Sequence, residues 1–512
     1  FPFFASLCLS AKAPNFILIY ADDLGYADTS VQMMDAEPST QNAFIQTPGI
    51  ERLAEMGARF TAAYAPSPTC TASRISIQHG QSTAKIQYRN VFDVLSQVQR
   101  PDGYEAEITM AEMLKESGKN YITAHFGKGC SAMGRFDEAG YDLTDENPGE
   151  PGGNGNGHGS YWDPIKDKTP FPPDNPKRMH SLRKDAAGFL KKHAGKQPFF
   201  MMVSHYAPHI PFVCTREAFE RTKKRWIAAG YDTKGLEELN DDPVNNPKGE
   251  ANKKITYAAM VEEMDLTLVD VLDALEQTGE LENTYIIFTS DNGAEGSGAQ
   301  NPSAIATQRM IASLGYTSDY EMLGQKGSFN SISPGFTSAA VSPLAYYKFY
   351  AGEGGLRVPF IARWPGVIPI GSHSSEAAMN IDILPTLLDF ADVPLPDERT
   401  IDGASIRGIL SKNEKTPHEK LNLFNNDRIA GVRSGNWKLV LESWYRGALP
   451  SFDNPNSYYG PQGLLFDLEK DPGETYSYTR ENPDVVEKLR NYLIQGQKEL
   501  ESFVLPDMWN RL

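Results

Sequence analysis

Short continuous runs of apolar residues, each ending abruptly in polar side chains, limit the folds open to this chain more than any other feature. These runs cover residues 16–20, 121–124, 199–203 and 285–288. An apolar run without polar alternation is typical of a strand that is covered on both faces. The sequence therefore predicts buried strands at these positions, each with a polar cluster at its carboxyl end.

Helical patterns lie between these strands. They cover residues 50–56, 111–116 and 261–275, the last of them amphipathic, and each is followed by a glycine. Strands that alternate with helices indicate an α/β fold with a large, mostly parallel sheet between helices. In such a sheet ligands collect at the carboxyl ends of the strands. We therefore expect the polar clusters to share one crevice, although they lie more than 250 positions apart in the chain.

The pattern changes near residue 400. Short strand-like runs at residues 430–433, 437–441 and 464–468 are separated by turn residues, and a helical pattern covers residues 485–500. We expect a large α/β domain in residues 14–400 and, in residues 401–512, a smaller antiparallel sheet with one helix. Two stretches, 147–176 and 294–347, break the regular pattern, and loops of this length are usually functional or mobile.

The acidic composition narrows the choice of partner. The net charge of −17 disfavours nucleic acid and anionic membranes, since both need a basic face. A small anionic substrate remains compatible, because a few buried cations can hold it inside an acidic shell. The apolar fraction of 40% and the charged fraction of 22% are ordinary for a soluble globular enzyme. The cysteines, at positions 8, 70, 130 and 214, are too few and too scattered for a disulfide scaffold or a zinc site.

The N-terminal residues have the pattern of an export signal. Residues 1–9 are mostly apolar, and Ala11 and Ala13 follow with the spacing of a signal-peptidase site. We interpret residues 1–13 as the remnant of a signal peptide; the alternative is a disordered tail. No segment of the sequence has the length of a membrane span. A soluble periplasmic or secreted protein is therefore expected.

Oxygen donors follow two of the predicted strands. Asp22 and Asp23 come after the first strand, and Asp291 and Asn292 come after a later one. A single aspartate at a strand end is usually a helix cap or a turn former. Four such donors in one crevice would instead repel one another unless a cation neutralised them. Carboxylate and amide oxygens are the ligands of Ca²⁺ and Mg²⁺, so we predict a divalent metal site.

The segment Cys70-Thr71-Ala72-Ser73-Arg74 resembles the C-x-[PA]-S-R signature of type I sulfatases. On five residues alone, a buried structural cysteine would be an equal explanation. Further segments resemble the motifs of that family in the family's own order. They are residues 15–25, Gly127-Lys128, Pro208-His209-Ile210-Pro211, Asp291-Asn292-Gly293, Lys348 with residues 353–359, residues 382–389 and residues 433–439. The chain is thereby identified as a member of the formylglycine-dependent sulfatases of the alkaline phosphatase superfamily, similar to bacterial polysaccharide sulfatases.

The resemblance implies an alkaline-phosphatase-like fold and the chemistry of sulfate ester hydrolysis. A formylglycine-generating enzyme would oxidise Cys70 to formylglycine, whose hydrate is both the nucleophile and a ligand of the metal. Its second hydroxyl would expel sulfate and restore the aldehyde, whereas a serine would stall as a stable ester. If a helix begins at Cys70, its backbone N–H groups would point at the anion.

The resemblance also implies roles for the basic residues. Arg74, Lys128 and Lys348 would bind the sulfate oxygens and hold the nucleophilic hydroxyl deprotonated. His209 would be the general acid for the leaving alcohol. His205 is expected either to assist His209 or to be a packed histidine.

One departure from the family pattern concerns the residue two positions after Lys128. The family usually has a histidine there, which contacts the formylglycine hydroxyl, and this chain has Cys130. Our candidate replacement is His158, in a glycine-rich loop; the alternative is a solvent-exposed histidine without a catalytic role.

The two long stretches favour a carbohydrate substrate. They carry aromatic and polar side chains suited to sugar rings, namely Tyr161, Trp162, Phe171, Tyr316, Tyr320, Phe329, Asn330, Tyr346 and Tyr347. The alternative is that these stretches pack against the second domain. We predict a sulfated polysaccharide or oligosaccharide, with algal galactans such as carrageenan ahead of animal glycosaminoglycans.

Two other functions compete with sulfate ester hydrolysis. A phosphonate monoester hydrolase or phosphodiesterase would share the fold and can share the formylglycine. A glycan-binding pseudoenzyme is disfavoured by the intact metal set, Arg74 and both lysines, because a binder needs no nucleophile precursor.

Overall fold

The computed structural model describes residues 12–86, 108–129, 135–145, 174–210, 212–233, 236, 250–296, 334–396, 401–425, 428–440 and 463–500. Cys8, Cys130, His158 and most of the two long stretches lie outside the described residues.

Strands follow the predicted apolar runs. The strands are β1 Asn15–Asp22, β2 Ala58–Phe60, β3 Ala63–Tyr64, β4 Ile122–Gly127, β5 Leu143–Thr144, β6 Phe199–Pro208, β7 Thr284–Ser290, β8 Phe360–Arg363, β9 Ser372–Ser374, β10 Ala378–Met379, β11 Leu421–Asn425, β12 Arg428–Ser434, β13 Trp437–Val440 and β14 Leu464–Asp467.

An eight-stranded sheet in the order β5-β4-β6-β1-β7-β8-β2-β9 forms the centre of the molecule. Neighbouring strands from β5 to β7 are parallel, and β8 runs antiparallel to both β7 and β2. The sheet is therefore mixed but mostly parallel, and the predicted fold class is confirmed.

Helices cover both faces of this sheet. The helices are α1 Pro48–Glu55, α2 Cys70–His79, α3 Met110–Glu116, α4 Met179–His193, α5 Arg216–Ala228, α6 Glu250–Thr278, α7 Pro334–Ala340, α8 Glu353–Leu356, α9 Ile383–Phe390, α10 Arg407–Lys412 and α11 Pro483–Leu500. Successive residues of β1 enter opposite cores: Ile17 and Ile19 pack with α1, α4, α5 and α6, while Phe16 and Leu18 pack with α2, α3, α9 and α10. A strand buried on both faces has no reason to alternate polar and apolar residues, which explains its continuous apolar sequence.

Helix α6 corrects one sequence-based expectation. The amphipathic pattern predicted a half-exposed helix over residues 261–275, but α6 is longer and buried along most of its length. Its neighbours are α1, α4, α5 and β6, which enclose it on several sides. Several carboxylates of α6 are therefore buried; Asp265, for example, accepts hydrogen bonds from the backbone N–H groups of Gly49 and Ile50 at 2.7 and 2.8 Å.

Strands β11 to β14 form a separate antiparallel sheet, and α11 packs on it. The small sheet with one helix is as expected from the sequence, although β11 was not predicted. Helix α10, which the sequence assigns to the second domain, packs through Ile409 and Leu410 into the core of the large domain. The boundary at residue 400 stays a prediction. None of the helices in the described ranges is long and apolar enough to span a bilayer.

Candidate active site and metal centre

The carboxyl ends of β1, β4, β6 and β7 bring the polar clusters together. Asp22 is the last residue of β1, Lys128 follows β4, His209 follows β6, and Asp291 follows β7. These strands are neighbours in the sheet, so their ends meet at one edge.

Two backbone features shape the turns at this edge. Asp23 has a φ of 65°, a left-handed conformation that turns the chain sharply after β1, and its N–H donates to Asp291 Oδ1 at 3.0 Å. Gly293 lies so close to the start of α8 that a Cβ there would stand 1.8 Å from the oxygen of Gly354. Only glycine permits that approach, which places residues 353–359 against the loop after β7.

Three buried carboxylates form the centre of the site. One oxygen each of Asp22, Asp23 and Asp291 lies within 4.8 Å of the others. Burial, together with Asp22, Glu295 and Asp291, raises the pKa of Asp23 to about 8 against the influence of Lys348. Burial also raises the pKa of Asp291 to about 6, although Arg74 opposes it. A cation bound between carboxylates that lie this close together would stabilise their ionised forms.

Two buried oxygens that accept no hydrogen bond from the described part of the chain add to the case for a cation, although Arg74 Nη2 lies 3.5 Å from one of them, Asp22 Oδ1. Among the described residues, Asp22 Oδ1 and Asn292 Oδ1 have no hydrogen-bond partner, although both are shielded from solvent. The Asn292 side chain lies against Asp23, since its Nδ2 donates to Asp23 Oδ1 at 2.6 Å. These hard oxygen donors fit Ca²⁺ or Mg²⁺, as the sequence predicted.

Cys70 is the first residue of α2 and faces this cluster. Its Sγ lies within 4.8 Å of an Asp22 oxygen and of a ring nitrogen of His209. Burial raises the pKa of the thiol even though Lys128 and Lys348 favour the thiolate. An unmodified Cys70 would therefore stay protonated near neutral pH and be a poor nucleophile.

Arg74 lies one turn along α2 and joins three strand ends. Its Nε donates to Asp291 Oδ2 at 2.8 Å, and its other nitrogens donate to the backbone oxygens of Ala21, Lys128 and His205. A further contact is a hydrogen bond to the hydroxyl of Ser204. Arg74 thus links the acidic cluster to the ends of β1, β4 and β6.

The two lysines bind different aspartates. Lys128 Nζ lies 2.5 Å from Asp22 Oδ2, and Lys348 Nζ lies 2.8 Å from both Asp23 Oδ2 and Glu295 Oε2. Burial lowers the pKa of each lysine, but the neighbouring carboxylates outweigh burial and raise it. Both lysines are therefore charged at neutral pH.

The two predicted histidines lie in different surroundings. His209 Nε2 is 3.4 Å from Asp23 Oδ2, and its Nδ1 is 2.5 Å from the oxygen of Ile210. Burial, aided by Lys348, holds the pKa of His209 well below its usual value. His205 is fully buried, its ring nitrogens have no hydrogen-bond partner within the described part of the chain, and burial lowers its pKa to about 3.

Two charged residues at the site were missed by the sequence analysis. Glu295 pairs with Lys348, and its position two residues after Gly293 was the only signal for it. Lys177 lies at the end of a glycine- and proline-rich stretch and is only 2% exposed. Burial, aided by Lys128 and opposed by Asp22, lowers the pKa of Lys177 to about 7. The proposed roles of Cys130 and His158 stay predictions, because both residues lie outside the described ranges.

The sequence of this chain is similar to the sequences of known sulfatases over most of its length. The sulfatase family profile matches residues 14–393, and a profile of the C-terminal region of N-sulphoglucosamine sulphohydrolase matches residues 345–499. An uncharacterised sulfatase of Schizosaccharomyces pombe is 27% identical over 97% of this chain and 96% of its own length. Human arylsulfatase A is 26% identical over 94% of this chain and 87% of its own length.

Solved structures agree on the fold. Ps i-CgsB, crystallised in complex with k-i-k-neocarrahexaose, superposes with a TM-score of 0.63 at 22% identity, over 94% of this chain and 92% of its own. The family profile covers the predicted nucleophile, the acidic cluster and both lysines. The chain therefore belongs to the sulfatase family and is a sulfuric ester hydrolase with an alkaline-phosphatase-like fold.

Proposed function

We propose that this enzyme hydrolyses sulfate monoesters on a poly- or oligosaccharide, with formylglycine derived from Cys70 as nucleophile and a divalent cation, Ca²⁺ or Mg²⁺, as cofactor. The observation that carries the proposal is the position of Cys70. The start of α2 brings it within 4.8 Å of both an oxygen of the acidic cluster and a nitrogen of His209. A nucleophile, a metal ligand and a proton donor therefore share one small space.

The side chains divide the chemistry among them. Asp22, Asp23, Asp291 and Asn292 would hold the cation, which supplies positive charge for a sulfate oxygen and for the oxygen at position 70. Hydrated formylglycine supplies one hydroxyl that attacks sulfur and a second that releases sulfate. Lys128 and Lys348 neutralise the sulfate oxygens as charge develops in the transition state. Arg74 keeps Asp291 and the neighbouring strand ends in place.

His209 is the proposed general acid. A sugar alkoxide leaves only if it takes up a proton as the bond between sulfur and the ester oxygen breaks. His209 Nδ1 faces a backbone carbonyl, so Nε2, which points towards Asp23, is the atom that serves the leaving oxygen. His205 has no described contact with the acidic cluster through its ring, and an assisting role for it stays a hypothesis.

The proposed substrate class is a sulfated galactan of the carrageenan type. In support, the structurally similar Ps i-CgsB was crystallised with a neocarrahexaose. Tyr347 contacts Gly296 and Tyr350 and immediately precedes Lys348. Tyr346, by contrast, packs against Val440 and its neighbours in the small sheet. The contacts of Tyr346 with the small sheet therefore agree with the alternative interpretation, in which these stretches pack against the C-terminal part of the chain.

A sulfated glycosaminoglycan is the second candidate substrate. It is supported by the match of residues 345–499 to the C-terminal region of N-sulphoglucosamine sulphohydrolase. Desulfation of a panel of carrageenan and glycosaminoglycan oligosaccharides, with products identified by NMR, separates the two. Hydrolysis of phenyl phosphonate monoesters or of phosphodiesters, with no activity on any sulfate ester, would contradict the proposal as a whole.

The proposal extends to maturation and location. Conversion of Cys70 requires a formylglycine-generating enzyme as a transient partner. The apolar residues 1–9 with Ala11 and Ala13 support export to the periplasm or the medium. Mass spectrometry of the N-terminus of the mature protein tests this part.

A further inference from the structure

Lys177 and Arg178 lead into α4 with an unusual backbone. Their φ angles are 53° and 56°, so two consecutive residues other than glycine adopt the left-handed conformation. This conformation is strained for side chains with a Cβ, and it persists where surrounding contacts enforce it. Here the contacts of both side chains go to active-site turns.

Arg178 is attached to the turn that carries Lys128. Its Nη2 lies 2.8 Å from Asp145 Oδ2, and Asp145 Oδ1 accepts a hydrogen bond at 3.0 Å from the backbone N–H of Gly127. The Asp145 side chain is only 4% exposed. The ion pair therefore anchors this segment directly beside the end of β4.

Lys177 is attached to the turn that carries His209. Its Nζ donates to the backbone oxygen of Ile210 at 3.1 Å, and His209 Nδ1 lies 2.5 Å from that same oxygen. The ammonium and the imidazole thus share one acceptor. Lys177 is buried, so it lies beneath the turn that carries His209 and not on the protein surface.

We propose that Lys177 is a positioning residue for His209: it fixes the Ile210 carbonyl, which in turn fixes the imidazole ring. The inference rests on the proposed role of His209 as general acid. With Nδ1–H donating to the carbonyl, the ring presents Nε2 to the ester oxygen. The proton donor is the ring protonated on both nitrogens: Nδ1–H stays on the carbonyl, and the Nε2 proton, taken up from solvent beforehand, passes to the leaving alkoxide as the sulfur–oxygen bond breaks. Without Lys177 the carbonyl can turn away, and the ring loses its orientation.

The inference makes a specific kinetic prediction, because proton donation matters only when the leaving group is basic. General acids contribute about 10²- to 10⁴-fold to such steps, and little when the leaving group is a stable anion. Lys177→Met should lower kcat on phenyl sulfate at least about ten-fold more than kcat on 4-nitrophenyl sulfate. Lys177→Arg and Lys177→Gln, which retain a donor for Ile210, should recover part of the loss on phenyl sulfate.

His209→Ala and Lys191→Met are the reference variants. His209→Ala should show the same dependence on the leaving group, and adding Lys177→Met to it should cost little more, since the two residues act as one unit. Lys191 is exposed on α4, so Lys191→Met should behave as wild type on both esters. Equal losses on both esters for the Lys177 variants, or losses confined to KM, would overturn the inference.

The outcome for His209 separates two kinds of failure. If His209→Ala shows leaving-group dependence and the Lys177 variants do not, the positioning role is wrong and the acid role stands. If His209→Ala shows none, the acid role fails and the inference fails with it. Thermal denaturation of each variant identifies those that fail to fold, and the Arg and Gln variants then decide the matter.

Discussion

Lys438 Nζ, on β13 of the small sheet, lies 2.9 Å from Glu353 Oε1 at the start of α8, and both side chains are fully buried. Glu474 Oε1 lies 2.9 Å from the same ammonium, and the other Glu353 oxygen accepts a hydrogen bond from Tyr64 at 2.7 Å. The segment that begins with Lys348 is thus tied at its far end to the small sheet. At its near end, the backbone N–H of Phe349 donates to the oxygen of Pro68, two residues before Cys70.

Removal of the Lys438 charge should therefore destabilise the whole protein. Lys438→Met leaves the buried Glu474 without its cation and Glu353 with the longer contact to Arg357 at 3.4 Å, and breaking a buried pair in this way typically costs about 3–5 kcal/mol. Urea denaturation of the variant measures the loss. Lys470→Met is the matched control, because Lys470 pairs with Asp467 from an exposed position and its removal should change stability far less. A similar loss of stability in both variants would contradict the larger contribution expected of the buried ion pair.

The same cluster predicts how stability depends on pH. Burial raises the pKa of Glu474 from 4.5 to about 7, although Lys438 opposes the shift. A carboxyl group whose pKa is higher in the folded state binds more protons there, so its contribution falls as pH rises from about 4.5 to 7. Glu474→Gln cannot titrate and should flatten the stability curve across that window. Denaturation at several pH values tests this, and an unchanged slope would contradict it.

Glu353 should act in the opposite direction at lower pH. Burial raises its pKa, but Lys438, Arg357 and Arg433 outweigh burial and lower it from 4.5 to about 2. The stability it contributes is present above about pH 4.5 and is lost as pH falls towards 2. Glu353→Gln should therefore be destabilised at neutral pH, with the difference from wild type shrinking in acid. A constant difference across that range would argue against a charged Glu353.

Metal removal should weaken both activity and folding. The three carboxylates and one amide would bind the proposed cation only in the folded protein, so a hundred-fold excess of metal over its Kd should add about 2.7 kcal/mol of stability. Chelation should abolish activity and lower Tm, and Ca²⁺ or Mg²⁺ should restore both. In Asp23→Asn the same chelator should shift Tm much less. Full activity in protein shown by elemental analysis to lack metal would exclude the proposed cofactor.

The parallel sheet explains how much of the site was predictable. Asp22, Lys128, His209 and Asp291 follow strands whose apolar sequences are unmistakable, and parallel strands bring their carboxyl ends together whatever the loops do. The positions of Glu295 and Lys177 depend on the conformations of loops, and loop conformation leaves no periodic pattern in the sequence. The sequence analysis assigned no role to Lys438, which lies in the strand-like run 437–441. Its burial depends on how the small sheet packs against α8, which no local pattern encodes.

The substitution at Cys130 leads to a separate prediction. If His158 replaces the missing histidine, His158→Ala should lower kcat far more than it weakens substrate binding, whereas Cys130→Ala should be mild. Steady-state kinetics with an aryl sulfate and with a sulfated oligosaccharide measure both effects. Small and equal effects of the two changes would mean that neither residue takes part in release of sulfate.

The chemical state of residue 70 is the most direct test of the proposed chemistry. Trypsin releases it in the peptide of residues 60–74, between Arg59 and Arg74, and mass spectrometry gives the fraction of formylglycine. Across preparations with different degrees of conversion, kcat per enzyme molecule should rise in proportion to that fraction and approach zero where Cys70 is unmodified. Cys70→Ser should bind substrate without turning it over, and Cys214→Ala, at the other described free cysteine, should remain active. Full sulfatase activity in protein whose residue 70 is entirely unconverted cysteine or serine would contradict the proposal.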